Sequence, residues 1–119
     1  SKEELLSMQK EVNEIKVSSL IYQYIAMLSD ATRRHDMIQL GVSPRGSLAL
    51  CRMAKASAFL AGRDYVLPED VQDVVKDVFR HRLVLKSRAR LSSKDADKIM
   101  DEICATVHVP DRRAAGGRR

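Results

Sequence analysis

The sequence predicts an all-α domain, a small bundle of about five helices. Apolar residues recur at helical spacing in five separate stretches, and each stretch is bounded by a capping residue, a proline or a glycine. No pair of alternating runs joined by a tight turn reads as a hairpin. Ser1 followed by Glu4 is a capping-box signature, and Leu5, Met8, Val12 and Ile15 follow at helical spacing, so a first helix covers about residues 2–13. Ile15-Lys16-Val17-Ser18 alternates and reads as a short extended link. Ser18 or Ser19 caps a second helix ending near Arg34, with Ile21, Tyr24, Ile25, Leu28 and Ala31 as its stripe. Arg33, Arg34 and His35 lie in its last turn, where cations suit the negative end of the helix dipole.

Gly41 interrupts the pattern and Ser43-Pro44 restarts it, with serine as N-cap and proline at the first helical position. The third helix runs from Pro44 to about Ala61. Its small residues Ala49, Ala54, Ala56, Ser57, Ala58 and Ala61 let neighbours approach closely and make it the central helix. Gly62 is placed to end it in a left-handed conformation. Tyr65-Val66-Leu67 is a short β-like run, and a β-bridge between 15–18 and 65–67 fits this reading. Pro68-Glu69-Asp70 opens a fourth helix whose buried face is Val71, Val74, Val75, Val78 and Phe79. A fifth helix follows Ser92, with Asp95 three residues on and Ile99, Met100, Ile103, Cys104 and Val107 as its stripe. Pro110 closes the folded part.

A chain of 119 residues suits one domain, here residues 1–110. Hydrophobic residues at 45% and charged residues at 31% exclude a disordered chain. Aromatics at 4%, with no Trp, argue against a base-stacking platform. No apolar run is long enough for a membrane span, and no signal-peptide pattern is present. The chain begins with Ser1 rather than Met, as a processed chain or a piece of a longer protein would. Of the net charge of +5, residues 111–119 carry +3 through four Arg and one Asp, and read as a disordered basic tail. The body is close to balanced, which weighs against a nucleic-acid-binding face. Cys51 and Cys104 lie far apart, and His35, His81 and His108 are scattered, so no metal-ligand spacing emerges. Both thiols read as small buried hydrophobes in a reducing, cytoplasmic compartment.

There is no phosphate loop, dinucleotide fingerprint, nucleophile elbow or paired-acid metal motif, so the chain alone does not read as a catalyst. The unusual element is Gly41-Val42-Ser43-Pro44-Arg45-Gly46-Ser47. It puts Arg45 in the first turn of a sharply defined helix, where a cation opposes the dipole unless an anion is present. The guanidinium is a planar fork suited to phosphate oxygens. On physical grounds alone, an arginine that snorkels or pairs with a nearby acid fits equally well.

Gly41-Val42-Ser43-Pro44-Arg45, the Ala-rich helix, Gly62-Arg63-Asp64-Tyr65-Val66, Pro68-Glu69-Asp70-Val71 and Arg80-His81-Arg82-Leu83 occur in that order. Together they resemble the C-terminal helical lid of a MoxR-type AAA+ ATPase, over about residues 1–110. Val107-His108-Val109-Pro110 resembles the family's ending, and the tail lies outside the pattern. The resemblance implies that Ser43-Pro44-Arg45 is the sensor-2 motif, with Arg45 reaching the ATP phosphates across a cleft and Ser43 and Pro44 supporting it. It implies ATP and Mg2+ as cofactors of the full-length protein, and none for the lid by itself. It further implies a preceding AAA+ core domain that holds the phosphate loop, a hexameric ring, and a chaperone-like role in maturation or metal and cofactor insertion. Partners with von Willebrand factor A domains are expected.

Two positions depart from the family pattern. Gly46 stands where Ala is more usual, and Leu67 where a capping Thr is usual, a loss of roughly 1 kcal/mol for the fourth helix. Arg80-His81-Arg82 reads as favourable charge at a helix end, with contact to a subunit or nucleotide as the alternative. Arg63 and Asp70 are placed to form an ion pair, worth at most about 1 kcal/mol if exposed. The methionines read as core or surface filler. Two other functional readings stand beside the lid. Gly62-Arg63 with Val66 to Val71 also resembles the loop and last helix of a histone-like DNA-binding module, and a plain protein-interaction bundle would leave Arg45 without a ligand.

Overall fold

The structure, a computed structural model, describes residues 1–111. Beyond Asp111 the expected basic tail lies outside the described residues. The elements are α1 (Lys2–Asn13), α2 (Ser19–Arg34), β1 (Ile38–Leu40), α3 (Pro44–Leu60), α4 (Pro68–Phe79), a 3-10 turn (Arg80–Arg82), β2 (Val84–Leu85), α5 (Ser87–Leu91) and α6 (Ala96–Thr106). The domain is mostly helical, as expected. No helix of the described residues is long and apolar enough to cross a membrane.

The core forms where the stripes of α2, α3, α4 and α6 meet. Ile21, Tyr24 and Leu28 face Leu50, Ala54 and Ala58, and Val71, Val75, Phe79, Ile99, Met100 and Ile103 complete it. α4 lies along α3, where alanines let the two backbones come close. α3 ends as its glycine predicts. Gly62 has φ +79°, and the Arg63 and Gly62 amides donate to the carbonyls of Ala58 (3.0 Å) and Phe59 (2.9 Å). The expected bridge is present: Lys16 pairs with Tyr65 in parallel, its amide donating to the Asp64 carbonyl at 2.8 Å.

Four expectations need correction. First, a sheet exists: β1 and β2 pair antiparallel, with Ile38 opposite Leu85. The strands are two and three residues long and joined through α3 and α4, so no turn signal marks them. Second, α5 is a sixth helix; it ends with the same paired bonds as α3, but Ser93 (φ 58°) stands where a glycine would be expected. Third, the last helix starts later than Ser92, because Asp95 is its N-cap, accepting from the Lys98 amide at 2.9 Å. Fourth, the apolar stripe of α1 is not covered. Leu5, Leu6 and Met8 are exposed, α1 buries no residue, and burial begins at Ile15.

The Arg63–Asp70 pair is a buried clamp. Asp70 is 2% exposed and takes both arms of the Arg63 guanidinium, at 2.6 and 2.8 Å. It also accepts from Ser57 Oγ (3.1 Å) and from the Leu67 amide (2.7 Å). The last bond matters because Leu67 has no capping side chain; Asp70 supplies the reciprocal half of a capping box. Burial alone would raise the Asp70 pKa, but the hydrogen bonds from Arg63, Leu67 and Ser57 together hold it below the ordinary carboxylate value. At the far side of the bundle, the Met37 amide donates to His35 Nδ1, so Nε2 carries the proton toward Glu102 at 3.0 Å. Lys94 also reaches Glu102, at 2.7 Å, and Lys94 followed by His35 holds that carboxyl below its usual range.

Because the folded-state pKa of Asp70 is depressed, its contribution to stability is present at neutral pH and is lost as pH falls through the carboxylate range. Asp70→Asn is expected to cost about 3 kcal/mol in urea unfolding at pH 7, with the gap to wild type closing in acid. Ser93→Gly relieves the positive φ and is expected to raise stability by up to about 1 kcal/mol, read as a higher melting temperature.

Candidate functional site

The first turn of α3 is fixed from α2. Val42, just before the N-cap, is 1% exposed. Its amide donates to Thr32 Oγ1 at 2.9 Å, and its carbonyl accepts from Arg33 Nε at 2.9 Å. Thr32 Oγ1 in turn donates to the Ser29 carbonyl at 2.6 Å. Ser29 Oγ gives its proton to the Ile25 carbonyl (2.8 Å), so Ser47 Oγ, 2.6 Å away, donates to it. Ser43 caps the helix, accepting from the Gly46 amide at 3.3 Å, and Pro44 occupies the first turn. Gly41 presses on α2 so closely that a Cβ there would stand 2.7 Å from the Arg33 nitrogen and 2.8 Å from its Cα.

Arg45 leaves this turn exposed. Among the described residues it has neither a hydrogen-bond nor an ion-pair partner, which disposes of pairing with a nearby acid. The structure thus places the three expected residues Ser43, Pro44 and Arg45 together. A groove of about 640 Å³ adjoins the turn between α2 and α3, lined by Tyr22, Ile25, Pro44, Leu48, Cys51 and Arg52 among others. The other sequence-marked basic group behaves unevenly. Arg80 is drawn to Asp77 (3.6 Å) and Asp97 (3.7 Å), whereas Arg82 has no partner among the described residues.

Arg45 carries a permanent charge and an unused fork of donors, so the chemistry open to the site is contact with an anion. Burial raises the pKa of both the Cys51 and the Cys104 thiols, which leaves them poor nucleophiles. Among the described residues no three His, Cys, Asp or Glu side chains gather as metal ligands. Sequence reasoning missed Ser29, Thr32 and Arg33 as the residues that hold the turn. Thr32 lies four residues after Leu28 on the buried face of α2, a polar group in an apolar stripe, and that was the available signal.

Comparison with known proteins gives concordant results. The profile of the family described as AAA lid domain matches residues 30–103. The match takes in the 62–71 stretch that resembles a histone loop. The uncharacterized protein YeaC of Bacillus subtilis is 40% identical over 97% of this chain and 36% of its own length. Chaperone MoxR1 of Mycobacterium tuberculosis is 32% identical over 93% of this chain and 32% of its own. A crystal structure of a candidate ATPase from Cytophaga hutchinsonii superposes with a TM-score of 0.87 at 32% identity, over 93% of this chain and 36% of that one. The chain therefore spans about a third of the length of the relatives it matches.

The closeness of Gly41 to the α2 backbone yields a test. Gly41→Ala forces a backbone shift, and is expected to lower the unfolding free energy by about 2 kcal/mol in denaturant titration.

Proposed function

Because the chain belongs to the AAA lid domain family, and within it to the MoxR type, we propose that it serves as the nucleotide-sensing lid of an ATP-hydrolysing protein, with Arg45 as the sensor-2 arginine. The observation that carries this reading is an exposed, unpaired arginine on a helix turn that α2 holds rigidly. A flexible arginine would lose side-chain entropy on meeting a ligand whatever its backbone did. Here the backbone half of that cost is already met by folding, and only the side chain remains to be ordered.

In this reading the phosphates lie between the lid and a core domain that supplies the phosphate loop and holds Mg2+. ATP brings the charge and the bond to be broken. The part of this chain is to offer a guanidinium to the terminal phosphate, which stabilises charge there, and to lose or change that contact after hydrolysis. Differential contact in two nucleotide states is what a change of lid angle requires. A hexameric ring, a chaperone-like role in maturation or metal and cofactor insertion, a von Willebrand factor A domain partner and a cytoplasmic setting belong to the same reading. The relative named a chaperone supports the second of these.

In the full-length protein, Arg45→Ala is expected to lower ATP turnover roughly ten- to a hundredfold while the lid melts at the wild-type temperature. Unchanged turnover in a correctly assembled variant removes the sensor role.

A further inference from the structure

The hollow on the other flank of α3 joins this helix to the end of α4. It has a volume of about 610 Å³ and is lined by Ala49, Arg52, Met53, Asp77, Val78, His81 and Arg82. Its one carboxylate, Asp77, is drawn to Arg80. Arg52 and Arg82 are both exposed, and neither has a hydrogen-bond or ion-pair partner among the described residues. Arg45 stands one turn above Ala49 on the same face of α3, so three unpaired guanidinium groups share one shoulder of the domain. Like charges gathered in this way repel, and no acid of the described residues forms an ion pair with any of the three.

Arg82 reaches this shoulder beside Gly46. The Arg82 side chain lies so close to the first turn of α3 that a Cβ on residue 46 would meet its Cδ at 3.2 Å, and Val42 Cγ1 at 2.5 Å. Residue 46 follows Arg45 by about 100° round the helix and about 1.5 Å along it. Arg82 therefore passes beside the residue that follows Arg45, within contact range of the first turn of α3. From this geometry we infer that Arg82 is a second nucleotide-contacting arginine, which meets the same polyphosphate as Arg45. The inference rests on the proposed sensor role of Arg45 and extends it. A terminal phosphate has oxygens enough for two guanidinium forks. The 3-10 turn thereby links the end of α4 to nucleotide state, so that α3 and α4 read the same ligand.

The test uses the full-length protein and compares Arg82→Ala, Arg82→Lys, Arg45→Ala and the double alanine variant. The affinities for a non-hydrolysable ATP analogue and for ADP are measured by calorimetry, with the melting temperature and ring assembly recorded alongside. Arg82→Ala is expected to weaken analogue binding about tenfold and ADP binding much less, with Arg82→Lys recovering part of the loss. The double variant should lose less than the product of the two single losses, as groups on one ligand do. If Arg82→Ala leaves the ATP-to-ADP preference untouched while Arg45→Ala reduces it, the inference fails and the sensor reading stands. If neither variant changes the preference, both fail. A loss of assembly or stability with an unaltered preference makes Arg82 an interdomain or structural residue and also overturns the inference.

Discussion

Both polar ends of the peptide at Val42 are satisfied by neighbouring side chains of α2: the amide by Thr32 and the carbonyl by Arg33. A buried peptide group left unmatched is costly, so this grip is strongly preferred over any alternative placement of the loop. It determines where α3 begins, and hence where Ser43 caps, where Pro44 turns and where Arg45 emerges. Val42 then fills the space above Gly46, which fastens the loop to the inner side of the helix it precedes. The exposed arginine is flexible at its tip but anchored at its root, a combination suited to a group that must respond to a ligand without carrying the domain with it.

A second constraint acts at the other end of α3. Arg63 and Asp70 bridge the loop that joins α3 to α4, and Ser57 and the Leu67 amide complete the coordination of the carboxylate. The result is a helical hairpin with α3 tied at its start to α2 and at its end to the first turn of α4. Motion of the lid is therefore expected to be rigid-body rather than internal, which is the kind of motion a sensing contact can drive.

The parts of the fold legible in the sequence are those governed by local chemistry. Ser1, Ser18, Ser43, Pro44, Gly62 and Pro68 mark helix ends because each acts within a few residues of itself. Ser93 escapes notice because it takes the glycine conformation without being glycine. β1 and β2 escape because short strands are set by what they pair with, and their partners lie more than forty residues apart in the chain. The site divides in the same way. Arg45 is visible as a cation in a helix's first turn, whereas Thr32 and Arg33 act on a peptide about ten residues away through the fold. Leu67 looks like a missing cap until the Asp70 carboxylate is seen to serve its amide from inside the helix.

α1 carries a different implication. It is a twelve-residue helix with leucines and a methionine turned to solvent and no side chain buried in the domain. Helices of that length are marginal in water when little packs on them, and α1 approaches the domain along α3 without burying a residue there. The amide protons around Leu5, Leu6 and Met8 should therefore exchange faster than those of the buried helices until some other surface settles over these side chains, and the slowing of that exchange would report when the surface has arrived.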